Sequence, residues 1–192
     1  MPDIDIDFAN RDDVLSKIPH VSAVLKDGRK HNTGVYCHEI PYNPLTGLSA
    51  IDYESADQRG YFKIDFLNVS AYKNFQNEDH IKRLMNVEPL WELIYEKEVC
   101  DQLFHINGYH QLLADLKPKT VDELAIILAL IRPGKKHLLN RCKSEGFDSI
   151  RIEIWQKTDD SYYFKKSHAY SYAMLIITQL NLICEQVNRE TS

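Results

Sequence analysis

No run in this sequence approaches the ~20 consecutive apolar residues that a membrane-spanning helix needs, so no membrane partner is expected. Basic residues are short: 23 Lys and Arg stand against 28 Asp and Glu, a net charge of −5. That balance excludes a protein that coats nucleic acid by bulk electrostatic attraction. The four cysteines, Cys37, Cys100, Cys142 and Cys184, lack the short paired spacing of a zinc site and as a set make no disulfide framework. The N-terminus is acidic where a secretory signal is basic. A cytoplasmic protein with reduced, mostly buried thiols is therefore expected.

The chain has 192 residues, 44% of them hydrophobic and 27% charged. It is long enough for one globular domain with excursions, and its composition is that of a folded protein. Its charge is unevenly spread. Residues 1 to 13 hold five Asp against one Arg, and residues 132 to 166 hold nine Lys or Arg against five Asp or Glu. An acidic focus beside a basic segment suits an enzyme that holds divalent metal and guides phosphates, although many solvated surfaces share the pattern.

Strict alternation over the first eight residues predicts a half-buried strand, with Asp3, Asp5 and Asp7 on one face and Ile4, Ile6 and Phe8 on the other. Val14 to Leu25 reads as a short helix and a connection. Strands follow over Gly34–Ile40, Leu48–Tyr53 and Tyr61–Val69. From Pro89 the apolar spacing lengthens to that of helices. Thr120 opens a buried helix in a capping-box arrangement with Glu123, and Pro133-Gly134 ends it. A second helix is expected from Ser167 to about Val187, and Ile150–Trp155 with Ser161–Phe164 as a hairpin. The predicted fold is α+β: a small mixed or antiparallel sheet over residues 1–88, then a helical portion over 89–192, packed as one unit.

Three carboxylates on one strand face repel one another when ionised, so a cation, a basic partner or full hydration must offset the repulsion. Residues two apart lie ~6.6 Å along a strand, and side chains leaning inward can bridge two metal ions. Asp65, an ionisable residue in the otherwise apolar run Ile64-Asp65-Phe66-Leu67, is the candidate third ligand, because burying it unpaired would be costly. The same alternation also describes a solvated edge strand protected against aggregation.

The wording of the sequence adds to its pattern. Pro2-Asp3-Ile4-Asp5-Ile6-Asp7-Phe8 with Arg11-Asp12-Asp13-Val14 resembles the palm strand of the bacterial DNA polymerase III alpha subunit, the C-family replicase. Lys63-Ile64-Asp65-Phe66-Leu67 resembles that family's second acidic strand, and Arg29 to Val35 the basic, glycine-containing segment between the two. The stretch from Leu103-Phe104-His105-Ile106-Asn107-Gly108 to Ile131-Arg132-Pro133-Gly134 is similar to the approach to the family's Arg-Pro-Gly-Pro motif, with Lys135 replacing the last proline. Lys165-Lys166-Ser167-His168 resembles its Asn-Lys-Ser-His motif and the fingers helix it opens. Five segments occur in the family's order.

The resemblance implies a palm-like sheet in which Asp5, Asp7 and Asp65 bind two Mg2+ ions, with Mn2+ a substitute, for transfer of deoxynucleotides from dNTP to a primer on template DNA. Asp3 falls outside that trio. Lys63 shares the face of Asp65 and would meet a phosphate or balance the carboxylates. Lys166 and His168 open a helix whose N-terminus favours anions, and they are either nucleotide contacts or a capping segment with a solvated lysine. Arg132 either touches backbone phosphate or completes a helix C-terminus. Family members are several times longer, and the triphosphate-gripping parts have no counterpart. The chain is therefore expected to act with another polymerase chain as a split replicase, such as one from a bacterial virus. The alternative is a non-catalytic polymerase-like protein that binds DNA or a replisome component.

Overall fold

The computed structural model describes residues 4–157 and 164–190. The fold is α+β, with a mixed sheet followed by helices. The chain divides into two compact units, with the boundary in sequence between Asn74 and Phe75.

The first unit runs β1 (Ile4–Phe8), α1 (Arg11–Leu15), β2 (Val21–Val24), β3 (Lys30–Tyr36), β4 (Tyr42–Asn43), β5 (Leu48–Asp52), α2 (Tyr53–Gln58) and β6 (Ile64–Asn68). Its six strands form one sheet in the order β1-β6-β3-β2-β5-β4. β1 pairs β6 and β2 pairs β5 in parallel, and the other neighbours are antiparallel. The expected helix and connection over Val14–Leu25 is corrected: the helix stops at Leu15, and Val21–Val24 is a strand paired on both sides. Pro19 blocks helix continuation, and the β-branched valines suit a pleated surface.

Both sheet faces carry small cores. Leu15, Val35 and Phe66 are buried on one, with Phe8, Val14, Ile18 and Ile64 around them. Ala23, Tyr36, Ile40 and Ala56 are buried in the other cluster, to which α2 contributes Ala56 and Tyr53. The helix α2, which the sequence reading gave to strand and connection, starts because Asp52 caps it: the carboxylate accepts from Ser55 N at 3.0 Å and from Ser55 Oγ at 2.6 Å. β1 is a sheet edge, and Ile4 and Ile6 on its apolar face stay 41% and 38% exposed.

The second unit holds α3 (Glu78–Met85), α4 (Lys97–Cys100), α5 (His110–Leu116), α6 (Val121–Leu130), α7 (Leu139–Glu145) and α8 (Lys166–Glu190), with short 3-10 turns between some of them. Residues Leu124 to Leu130 are all buried, so α6 is a central helix, apolar all round, packed along α8. Thr120 caps it as expected, accepting from Glu123 N at 3.2 Å, while Glu123 reaches back to Lys119 N. α3 packs on α8, and the Asn181 amide donates to the carbonyls of Leu84 and Val87. Residues 75–88, drawn with the sheet in the sequence reading, therefore belong with the helices.

The expected strand at Ile150–Trp155 is corrected to a 3-10 turn at Glu153–Trp155. Ile150 and Ile154 are buried while Ile152 is 79% exposed, a helical rather than an alternating spacing. Lys135 holds this turn: its buried ammonium donates to Glu153 O at 3.0 Å and Gln156 O at 2.6 Å. Residues 161–163 of the proposed hairpin lie outside the described residues. No helix among the described residues is long and apolar enough to cross a membrane.

Candidate functional site

The parallel register of β1 and β6 sets Asp5 directly opposite Asp65 and Asp7 opposite Leu67. Paired residues share a sheet face, and so do residues two apart on one strand. The three aspartates, sixty residues apart in sequence between Asp5 and Asp65, thus project from one face. Asp3 lies outside the described residues. Asp5 and Asp7 are half-buried. Burial, and then the negative charge of Asp7, push the Tyr72 phenol above its ordinary pKa.

Asp65 is 8% exposed and well engaged. Thr33 Oγ1 donates to its Oδ1 at 2.6 Å, and the Lys63 ammonium pairs with its Oδ2. His31 Nδ1 lies 3.7 Å from Oδ1, but that nitrogen accepts the amide protons of Gly34 at 2.9 Å and Thr33 at 3.3 Å. It therefore carries no proton to give to Asp65. Gly34 pairs with Asp65 across β3 and β6, and its missing side chain leaves room for the lysine stem. A Cβ there would stand 2.7 Å from Lys63 Cδ and 3.0 Å from His31 Nδ1. Tyr53 borders the cluster, with its ring edge-on to His31 and 6.0 Å from Lys63 Nζ.

Among the described residues no three His, Cys, Asp or Glu side chains form a group that could hold a metal. Asp5, Asp7 and Asp65 share a face, but both oxygens of Asp65 are taken by Lys63 and Thr33. As arranged, the trio does not fit a metal pair, and a cation at Asp65 would have to displace the Lys63 ammonium.

The other predicted residues lie in the second unit. Arg132 follows α6 and lays its guanidinium 4.7 Å from the centroid of Phe164. Its Nε is buried without a hydrogen-bond partner among the described residues. His168, in the first turn of α8, has its ring 6.4 Å from Phe164 and 6.0 Å from Tyr172. Lys166, the first residue of α8, places Nζ 5.5 Å from the Tyr170 ring and 5.9 Å from Trp155. Sequence reasoning gave no role to His105. This residue adopts φ 60° and packs against Phe104 and Tyr172 at 3.9 and 4.9 Å. Burial, then the Arg132 charge, push its pKa down to about 4. Thr33, His31 and Tyr53 were also missed. An ionisable Asp65 in an apolar strand signals that a partner must exist, but it does not say which. No protein-family model matches the chain, and a search of curated proteins found no significant match.

Proposed function

We propose that this chain is a DNA polymerase III alpha-like nucleotidyltransferase portion, adding deoxynucleotides to a primer 3′ end in cytoplasmic DNA replication together with a second chain. The observation that supports this reading is the in-register opposition of Asp5 and Asp65 on adjacent strands, with Asp7 on the same face. Clustered carboxylates repel phosphates by themselves and suit phosphate chemistry only with a divalent cation between the two. Asp5, Asp7 and Asp65 are the residues that would hold Mg2+ or Mn2+, only in an arrangement with Lys63 moved off Asp65, and the ion would supply charge stabilisation at a phosphate oxygen. Arg132, Lys166 and His168 are the candidate contacts to the incoming nucleotide and the primer-template.

The test is primer extension with Mg2+, for the wild type with and without any polymerase-like chain encoded nearby, and for Asp5→Asn and Asp65→Asn. Both substitutions are expected to abolish extension. Activity that survives either one would remove the reading.

A second reading is favoured by one specific observation, the engagement of both Asp65 oxygens by Lys63 and Thr33. A polymerase-like protein that binds DNA or a replisome component without catalysis has no need to release that carboxylate. Calorimetric titration with Mn2+ separates the two. A binding heat lost in Asp65→Asn supports the nucleotidyltransferase, whereas a silent titration with stable capture of a replisome protein supports the binding protein.

A further inference from the structure

The first unit holds a cavity of about 920 Å3 at the end of β3, lined by His20, Tyr36, Cys37, His38, Tyr42 and Tyr61 among others. Its walls offer aromatic faces. The His38 ring lies parallel to Tyr61, centroids 6.0 Å apart and planes at 15°, and meets Tyr36 edge-on at 5.8 Å. Tyr42 is 53% exposed. Both His38 nitrogens are spent on backbone: Nε2 accepts the Phe62 amide at 3.0 Å, and Nδ1 donates to the Glu39 carbonyl at 3.2 Å. The ring is thereby fixed in one orientation, and it presents a face rather than a base or a metal ligand.

The character of the lining narrows the ligand. Tyr36 is 1% exposed, and its hydroxyl is buried without a hydrogen-bond partner among the described residues. Burial raises its pKa to about 12, so it keeps its proton. Tyr36 thus serves as a fixed aromatic wall. Among the described residues no Lys or Arg lines the cavity, whereas Glu39 does. That balance disfavours phosphates and carboxylates.

We propose that this cavity binds an uncharged planar heteroaromatic ligand, of the chemistry of a nucleoside, by stacking on its tyrosine and histidine faces. Pockets of ~300–1,000 Å3 with aromatic walls and a few polar groups are the usual form of such sites. The inference does not rest on the Asp5–Asp65 reading, since neither aspartate lines the cavity.

Cys37 provides the test, because it lines the cavity and is an exposed residue. The full chain is alkylated with iodoacetamide in the presence of increasing deoxyadenosine or deoxycytidine, and labelling at Cys37 is followed by mass spectrometry. Saturable protection of Cys37 is expected with at least one nucleoside. Tyr42→Ala removes an exposed ring outside the core and should raise the half-protecting concentration about tenfold, whereas Tyr42→Phe should retain protection. Labelling that is indifferent to both nucleosides, or protection equal in Tyr42→Ala, overturns the proposal. Stronger protection by the monophosphate than by the nucleoside overturns it as well, since it contradicts the charge of the lining.

Discussion

Lys63 lays its ammonium on the carboxylate of Asp65, two residues further along the same side of the chain, and only 15% and 12% of the two side chains remain exposed. Removing one partner of such a pair leaves a charge with little water to solvate it. Lys63→Met should therefore lower unfolding stability by about 2–4 kcal/mol in urea titration. The double variant Lys63→Met/Asp65→Asn, which has no charge left to strand, should recover part of that loss. If the double variant is less stable than Lys63→Met alone, the two side chains do not act as a pair.

The neighbouring glycine tests the same geometry from the backbone side. In Gly34→Ala the new methyl would stand 2.7 Å from Lys63 Cδ, so the stem must move and the ammonium must leave its place on Asp65. A loss of about 1–3 kcal/mol is expected from crowding. The diagnostic is non-additivity: once Lys63→Met has broken the ion pair, adding Gly34→Ala should lower stability by less than it does in the wild type, in a double-mutant cycle.

The acidic face of β1 was legible because alternation has a period of two, and the Thr120 cap because its partner stands three residues on. Which strand would lie beside β1 was not legible from alternation, since a parallel pairing sixty residues away leaves no local trace. Lys63, two residues away, was legible as a balance for Asp65, whereas Thr33 was hidden, as it reaches the carboxylate from another strand. Ile150, Ile152 and Ile154 imitate a strand, yet the exposed Ile152 and the lysine that caps the turn's carbonyls make the segment a 3-10 turn. Short elements such as β2 and α2 are decided by their neighbours in space more than by their own residues.

His105 gives the second unit a pH dependence of definite sign. Its pKa of about 4 in the folded chain lies below the ordinary 6.5, first through burial and then through Arg132. Between those values the unfolded chain takes up a proton that the folded chain refuses. Stability from this group is therefore complete above pH 6.5, falls as the pH drops toward 4, and changes no further below that. Partial solvent access reduces the effect to about 1–2 kcal/mol. His105→Asn does not titrate and suits the positive φ of 60°. Urea midpoints at pH 7 and pH 5 should thus draw closer together in this variant than in the wild type, and an unchanged gap would refute the assignment.

Asn181 is a buried amide in the middle of α8, 4% exposed, whose Nδ2 donates to Leu84 O and Val87 O at 2.9 Å each. Those carbonyls lie at and just beyond the C-terminal end of α3, where a helix has run out of its own amide donors. Asn181→Leu keeps the branched shape and the number of side-chain heavy atoms but is bulkier and more apolar, so packing alone predicts a gain from burial set against some crowding. Hydrogen bonding predicts a loss of about 1–2 kcal/mol, because the Val87 carbonyl loses this donor while Leu84 O keeps the Val87 amide at 3.2 Å. The Arg83–Glu185 ion pair, also between α3 and α8, remains in this variant and does not supply the missing protons. Hydrogen exchange should then quicken at the α3 amides while the α6 amides, deep in the core, keep their protection. Equal acceleration in both helices would mean that Asn181 supports the whole helical unit rather than the seat of α3.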